Sequence, residues 1–319
     1  KRWLIQDFIK WVESDHPQTK VKSLMEKQER DLSNFSESYL EAVFYPTNKI
    51  RVPVNKKNVL ETGLVKVKDI AEIVDYIDID LPETGITKGQ MMMLDILANN
   101  DWERPIYFSG GSFEEEEYIW MMDYLQLDGL VYKLVPIKTE TKSIFDIGRI
   151  DSELMFNIVK KWEWGNSGSS EIYHDPQTRK QGGVSYRLIL ARLLEKLLEE
   201  KKLEKAKEVI GIAMTNIPIE HFGFYTYVEP YLDGCYKVGE TNKAREIFNK
   251  LKTVYQEQLY YYAELSMDEQ FQNLDAIFRA IQGCQRNIEI FSKNENDELV
   301  NREIREFNEY LGNFQQFLE

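Results

Sequence analysis

The stretches "LEKAKEVI" (203–210) and "TNKAREIF" (241–248) superpose with Ala206 opposite Ala244, a period of 38 residues. A repeat of this length constrains the fold more than any local pattern does. Each unit is too small to bury its own apolar face, so it must stack on its neighbours. The apolar spacing around the repeat is helical. Tyr186, Leu190, Leu193, Leu194 and Leu197 make one stripe, Ala206, Val209, Ile210, Ala213 and Met214 the next, and Ala244, Ile247, Phe248, Leu251 and Tyr255 a third. From residue 184 onward the chain therefore reads as stacked antiparallel helices, with Ala206 and Ala244 at close crossings.

Within that region Ala206, Ala213 and Pro218 stand at offsets 0, 7 and 12, as in the second helix of a tetratricopeptide repeat. Leu190 and Leu194 replace the Trp and Gly of the first helix. Val300, Ile304, Phe307, Leu311, Phe314 and Leu318 follow a 4-3-4-3-4 spacing, the seam of a terminal helix on its neighbour. That helix reads as a cap on the array, ahead of an oligomerisation helix. The tyrosines at 225, 227, 231, 236, 255 and 260–262 read as core, with a peptide or sugar groove as the alternative.

Residues 1–165 mix helical and strand signals. "WLIQDFIKWV" places Trp3, Leu4, Phe8, Trp11 and Val12 at helical spacing. "KIRVPV" and "YIDIDL" alternate, and Pro53 fits an edge strand because it cannot donate to a ladder. Asp78 and Asp80 fall on the outer face. "KGQMMMLDILANN" is a helix capped by Thr87 and ended at Asn99–Asn100. Next come a short strand at 105–109, a Ser112/Glu115 capping box opening a helix, and the strand "GLVYKLVPI". This order predicts a parallel, right-handed βαβ unit. A Gly-Gly-Ser turn ahead of a helix can cradle phosphate, but Glu114 to Glu117 crowd its first turn with carboxylates, which favours a plain strand-to-helix turn.

The stretch 163–183 is rich in Gly, Ser, Asn and Pro and reads as a connection. The expected organisation is an α+β domain over 1–165, a linker over 166–183 and an all-α, tetratricopeptide-like repeat domain over 184–319.

The formal charge of −14 argues against nucleic acid or an anionic membrane surface as the main partner. Cys235 and Cys284 form no CxxC pair, and His16, His174 and His221 lie far apart, so no metal site, cofactor site or catalytic group is assigned. No nucleophile elbow, zincin or phosphate-loop motif is present. No apolar run is long enough to span a bilayer, and no signal peptide is visible. The opening "KRWLIQDF" without Met reads as a cut from a longer chain. Asp175 and Arg179 in "HDPQTR" are expected to form an ion pair tying linker to domain.

Five stretches occur in an order that resembles a known family: "FYPTNKIRVPVNKKNVLETG", "LDILANNDWERPIYF", "YLQLDGLVYKLVPI", "WEWGN" and "DPQTR…YR". The family comprises the C-terminal extracytoplasmic region of bacterial polytopic membrane proteins of unknown function. It is related to transmembrane protein O-mannosyltransferases that end in tetratricopeptide repeats. The resemblance implies a glycosyltransferase using a lipid-linked sugar donor, whose catalytic acid lies in a membrane half absent from this chain. The present region would face the periplasm or the exterior, contact that missing half and position a protein or peptide acceptor. An interaction module with no part in sugar transfer is the alternative, and a free-standing hydrolase a third. Trp102, Arg104, Pro105 and Tyr107 match the family motif, as a fold-defining turn or as a contact with the membrane half or the acceptor.

Overall fold

The computed structural model describes residues 2–45, 47–83, 85–109, 117–141 and 146–317. The chain forms two compact units, Lys1–Asp151 and Ser152–Glu319. The first mixes sheet and helix and the second is helical, as the sequence predicts.

In the first unit β1 (Trp3–Leu4) leads into α1 (Ile5–Glu13). Strand β1 pairs parallel with β2 (Lys49–Pro53), which pairs antiparallel with β3 (Tyr76–Asp80). Alternation puts Ile50, Val52, Ile77 and Ile79 on the buried face. Helix α1 lays Ile5, Phe8 and Ile9 on that face, and Trp3 and Leu4 belong to the strand rather than to the helical stripe. Helix α2 (Lys88–Asn99) packs beside α1 through Leu94, Leu97 and Ala98. Its Thr87 and Gln90 make both bonds of a capping box.

Strand β2 is central, so the edge-strand expectation for Pro53 fails. The proline is tolerated because β1 pairs only with Ile50 and Arg51, leaving Pro53 opposite Tyr76 alone. Asp78 and Asp80 are held by arginines: Arg2 Nε and Arg51 Nε lie 3.2 and 3.1 Å from Asp78, and Arg2 also bonds Asp80.

The second sheet has the order β4 (Tyr107–Ser109), β6 (Val131–Leu134), β5 (Leu125–Asp128). The expected βαβ pairing is not formed, because β4 and β5 both run antiparallel to β6, which separates them. The cause is the Asp128-Gly129 step. Asp128 pairs with Val131, and Gly129 takes φ 69°, the left-handed value a two-residue hairpin demands. "LQLDGLVYKL" is thus two strands, and a 3₁₀ turn over Glu117–Tyr124 precedes them. The Gly-Gly-Ser turn, the Ser112/Glu115 box and Glu114 to Glu116 lie outside the described residues.

The second unit opens with α3 (Ser152–Val159). After α4 (Pro176–Lys180) and a π turn over Gln181–Tyr186 come three helix pairs. These are α5 (Arg187–Glu199) with α6 (Leu203–Asn216), α7 (Glu229–Lys237) with α8 (Thr241–Ala263), and α10 (Leu274–Ser292) with α11 (Asp297–Leu311). A short helix, α9 (Met267–Gln272), joins the last two pairs. Helix α7 packs on α5 and α6, and α10 packs on α7 and α8, so each pair covers the apolar face of the one before. Ala206 and Ala244 are fully buried. In the last pair Val300, Phe307 and Phe314 are buried, whereas Ile304 faces outward and Leu318 lies outside the described residues.

The Gly/Ser-rich stretch belongs to the second unit and is packed against it. Ser167 Oγ donates to Asn216 O at 2.7 Å, and His174 Nε2 bonds Ser167 O at 2.9 Å. A Cβ on Gly168 would collide with Thr215 O, so glycine there permits a backbone contact rather than a flexible joint.

Glu153 of α3 bonds Lys202 and Lys205 at the start of α6, and these ammonium groups hold its carboxyl down to about 2. A depressed folded pKa gives stability that is complete above the ordinary carboxylate value and is lost as pH falls toward 2. Glu153→Gln should therefore lower the urea midpoint at neutral pH and leave it unchanged near pH 2. Parallel curves for the two proteins across the whole acid range would refute this.

Candidate functional site

Helix α2 ends at Asn99, and the chain then turns through two consecutive non-glycine residues in the left-handed region: Asp101 (φ 43°) and Trp102 (φ 63°). Such residues cost about 1–3 kcal/mol each and persist only where surrounding contacts fix them. Here Asn55 Nδ2 donates to Asp101 Oδ2 and Asn58 Nδ2 to Asp101 O, both at 2.8 Å. The Trp102 ring is buried, and its Nε1–H donates to Pro53 O at 2.8 Å. Asn100 Nδ2 closes the turn on Arg104 O at 2.9 Å. The Arg104 and Pro105 side chains are exposed. Trp102 thus locks the end of α2 to β2, and the turn aims the chain into β4.

Tyr107, the first residue of β4, stands opposite Lys133, which stands opposite Gln126. The three share one face with Asp128, two residues beyond Gln126. The other face is apolar, carrying Leu125, Leu127, Tyr132 and Leu134. Lys133 Nζ lies 2.9 Å from Asp128 Oδ2, with both side chains more than nine-tenths buried. Gln126 Nε2 donates to Asp128 Oδ1 at 2.8 Å. A paired and hydrogen-bonded charge is the form in which buried Lys and Asp are tolerated. Tyr107 is half exposed at the open edge of this row. Partial burial, and then the Asp128 charge, raise its phenol pKa, so it keeps its proton. The row offers hydrogen bonds to a neutral polar group.

Tyr107 is the predicted site residue that the structure brings into this row, while Trp102 and Arg104 stay in the turn before it. Gln126, Asp128 and Lys133 were not singled out from sequence. Their signal is the polar residue at every second position of "LQLD" and "VYKL", which marks one face of each strand.

In the second unit Asp175 and Arg179 form no ion pair among the described residues. The Asp175 carboxylate caps α4 instead, accepting from Gln177 N at 2.8 Å, Thr178 N at 3.1 Å and Thr178 Oγ1 at 2.6 Å. Those donors, Thr178 Oγ1 first, lower its pKa. The expectation fails because an Asp before Pro176 is placed as a helix N-cap, where the nearest donors are backbone amides.

The "WEWGN" and "YR" stretches meet in space: the rings of Trp162, Trp164 and Tyr186 lie 5.5–6.1 Å apart. Next to Tyr186, Arg187 is fully buried. Its guanidinium donates to Ile217 O (2.9 Å), Pro218 O (3.3 Å), Phe224 O (3.5 Å) and Gly223 O. Burial lowers its pKa to about 10, which leaves it cationic at neutral pH.

Cys235 and Cys284 are free, buried thiols, raised by burial to about 11 and about 12. Neither is a nucleophile at neutral pH. Among the tyrosines, Tyr231 and Tyr255 are core, and Tyr260 and Tyr261 are exposed. Among the described residues no His, Cys, Asp and Glu gather in a set that could hold a metal ion. No helix of the described residues is long and apolar enough to cross a membrane.

Residues 1–154, just under half of the chain, match the family model "TMEM260-associated domain 2". That match ends close to the boundary of the first compact unit at Asp151 and includes the Trp102 turn and the Tyr107 row. No curated protein and no solved structure matches the chain.

Proposed function

We propose that this chain is the extracytoplasmic accessory region of a membrane glycosyltransferase that uses a lipid-linked sugar donor, and that it positions a protein acceptor. The observation that carries this reading is the match of residues 1–154 to a TMEM260-associated domain. It agrees with the ordered stretches that resemble the extracytoplasmic part of the O-mannosyltransferase relatives. Two features of the geometry support positioning rather than bond-making by this chain. The Tyr107 row presents a protonated phenol beside a closed Lys133–Asp128 pair, suited to hold a polar group in place. The helix pairs of the second unit stack each on the one before, an architecture that presents an extended surface to polypeptides. In this reading a membrane half of the full-length protein carries the reacting groups.

The test uses the full-length membrane protein with its lipid-linked donor and a polypeptide acceptor, with glycan read by mass spectrometry. Tyr107→Phe removes the hydroxyl and keeps the ring. It should raise the acceptor KM about tenfold with kcat unchanged, the pattern of lost uniform binding. An unchanged KM would remove Tyr107 from acceptor binding. Sugar transfer by residues 1–319 alone would overturn the accessory role. The second reading, an interaction module outside sugar transfer, rests on the stacked helix pairs and predicts normal transfer when Ser152–Glu319 is deleted from the full-length protein.

A further inference from the structure

The end of α8 and the short helix α9 carry an apolar surface that the rest of the unit leaves uncovered. Tyr260, Tyr261, Met267 and Phe271 are each about three-fifths exposed or more, at 62, 61, 59 and 68%. Met267 and Phe271 stand one turn apart on α9, and Tyr260 and Tyr261 lie in the last turn of α8. These two short segments are fixed to each other. Gln270 is buried, and its Nε2 donates to Leu265 O at 3.1 Å and Ala263 O at 3.4 Å, while its Oε1 accepts from Gln316 Nε2 at 3.2 Å. A buried amide spanning three partners holds α9 against the end of α8. The outward rings are therefore presented from a set position rather than from a loose loop.

Charge selects among possible occupants. Between Lys252 and Arg279 the chain has no basic residue and five acidic ones: Glu257, Glu264, Asp268, Glu269 and Asp275. All five are exposed. Glu269 is committed to the Ser266 capping box, and the other four form no ion pair among the described residues. Elsewhere in the same unit surface carboxylates do find lysines, as with Lys250 and Glu220, Lys237 and Asp233, or Lys160 and Glu208. A second copy of the chain would bring the same −14 charge, and an anionic lipid surface would meet unpaired carboxylates. Aromatic and Met side chains in a segment whose charged residues are all acidic suit a cationic polypeptide whose apolar side chains enter between the rings while its guanidinium groups lie over their faces.

We infer that the α8–α9 surface docks a cationic polypeptide segment in which arginines alternate with apolar side chains. This inference is independent of any role in sugar transfer.

The probe is a fluorescein-labelled dodecamer of alternating Arg and Leu, titrated with the whole chain at physiological salt and read by anisotropy. The Arg–Leu peptide should bind about tenfold more tightly than an Arg–Gly peptide of equal charge, and a Glu–Leu peptide should not bind. Tyr261→Ser with Phe271→Ser removes apolar surface without touching charge and should weaken binding about tenfold. Glu264→Lys with Asp268→Lys should do the same, whereas Glu298→Lys with Glu309→Lys on α11 should leave affinity unchanged. Equal binding of the Arg–Gly and Arg–Leu peptides, or an equal loss from the α11 pair, would overturn the inference in favour of general attraction to an acidic protein. Dimerisation abolished by the Tyr261/Phe271 pair, seen in sedimentation without peptide, would assign the surface to a second copy instead. Vesicle binding abolished by the same pair would assign it to a membrane.

Discussion

Arg187→Met should cost the second unit about 4 kcal/mol, because the loss strands the Ile217 and Gly223 carbonyls together. Arg187 is fully buried, and among the described residues no carboxylate forms an ion pair with it. Instead the carbonyls of Ile217, Pro218, Gly223 and Phe224 converge on its two terminal nitrogens. These carbonyls flank the one-turn helix Ile219–Phe222 in the crossing between α6 and α7, where Pro218 O also accepts from Phe222 N and Phe224 O from Tyr227 N, whereas Ile217 O and Gly223 O accept from Arg187. Gly223 (φ 66°) and Phe224 (φ 51°) both sit in the left-handed region there. A single guanidinium thus serves the two carbonyls that the backbone bonds of this crossing leave over. Methionine keeps most of the length and apolar volume of the side chain but no donor, so each stranded carbonyl must find water or stay unpaired. The Tyr231 hydroxyl, which donates to Arg187 O at 2.6 Å, is unaffected because it bonds the backbone. Arg187→Lys restores a charge but not the planar fork, and should recover less than half of the loss. Urea titrations followed by circular dichroism measure both values. A loss under about 1 kcal/mol for Met would mean that water already serves these carbonyls.

That role could not be read from the chain. In "SYRLIL" Arg187 occupies a position that helical spacing treats as polar, and its partners lie 30 to 37 residues away. The features that were legible are those set by neighbours in sequence. Thr87 and Gln90 announce a capping box three residues apart, and both bonds are made. The stripes from Leu190 to Tyr255 fix helix faces, and all of their residues but Met214, which is half-buried, are buried. Two failures share one cause: a local pattern does not say which strand lies beside it. Pro53 was placed on an edge although the length of β1 decides what it faces. "GLVYKLVPI" was paired with the strand before it as a parallel neighbour, although the Asp128-Gly129 turn folds β5 onto β6 first and fills that place. Asp175 fails within its own turn, where the nearest donors to its carboxylate are the amides of its own helix rather than Arg179 four residues on. In the candidate site Tyr107 was visible in a motif. Lys133 and Asp128 were not, because their pairing depends on the register of two strands.

Trp102→Ala should destabilise the first unit by about 3–5 kcal/mol, the range for losing a buried large aromatic side chain. The indole fills the junction of α2 and β2, and its single polar atom is matched to Pro53 O. Two further substitutions separate the contributions. Trp102→Phe keeps an aromatic ring, deletes the indole donor and strands the Pro53 carbonyl, for a loss of about 1–3 kcal/mol. Trp102→Gly removes the whole side chain but accepts φ 63° without strain. At an ordinary helix or strand position glycine is worse than alanine by about 0.5–1 kcal/mol. Here the order should reverse, with the Gly protein at least as stable as the Ala protein. Denaturant midpoints of the three proteins, read from the circular dichroism of the first unit, give that order directly. A Gly protein less stable than the Ala protein would show that the left-handed turn at Asp101–Trp102 is not maintained once the ring is gone, and that the ring, rather than Asn55 and Asn58, creates it. If the order does reverse, the turn is held by the asparagines and the ring locks what they have shaped. Tyr107 would then keep its place opposite Lys133 even in the Ala protein, since β4 is reached only through this turn.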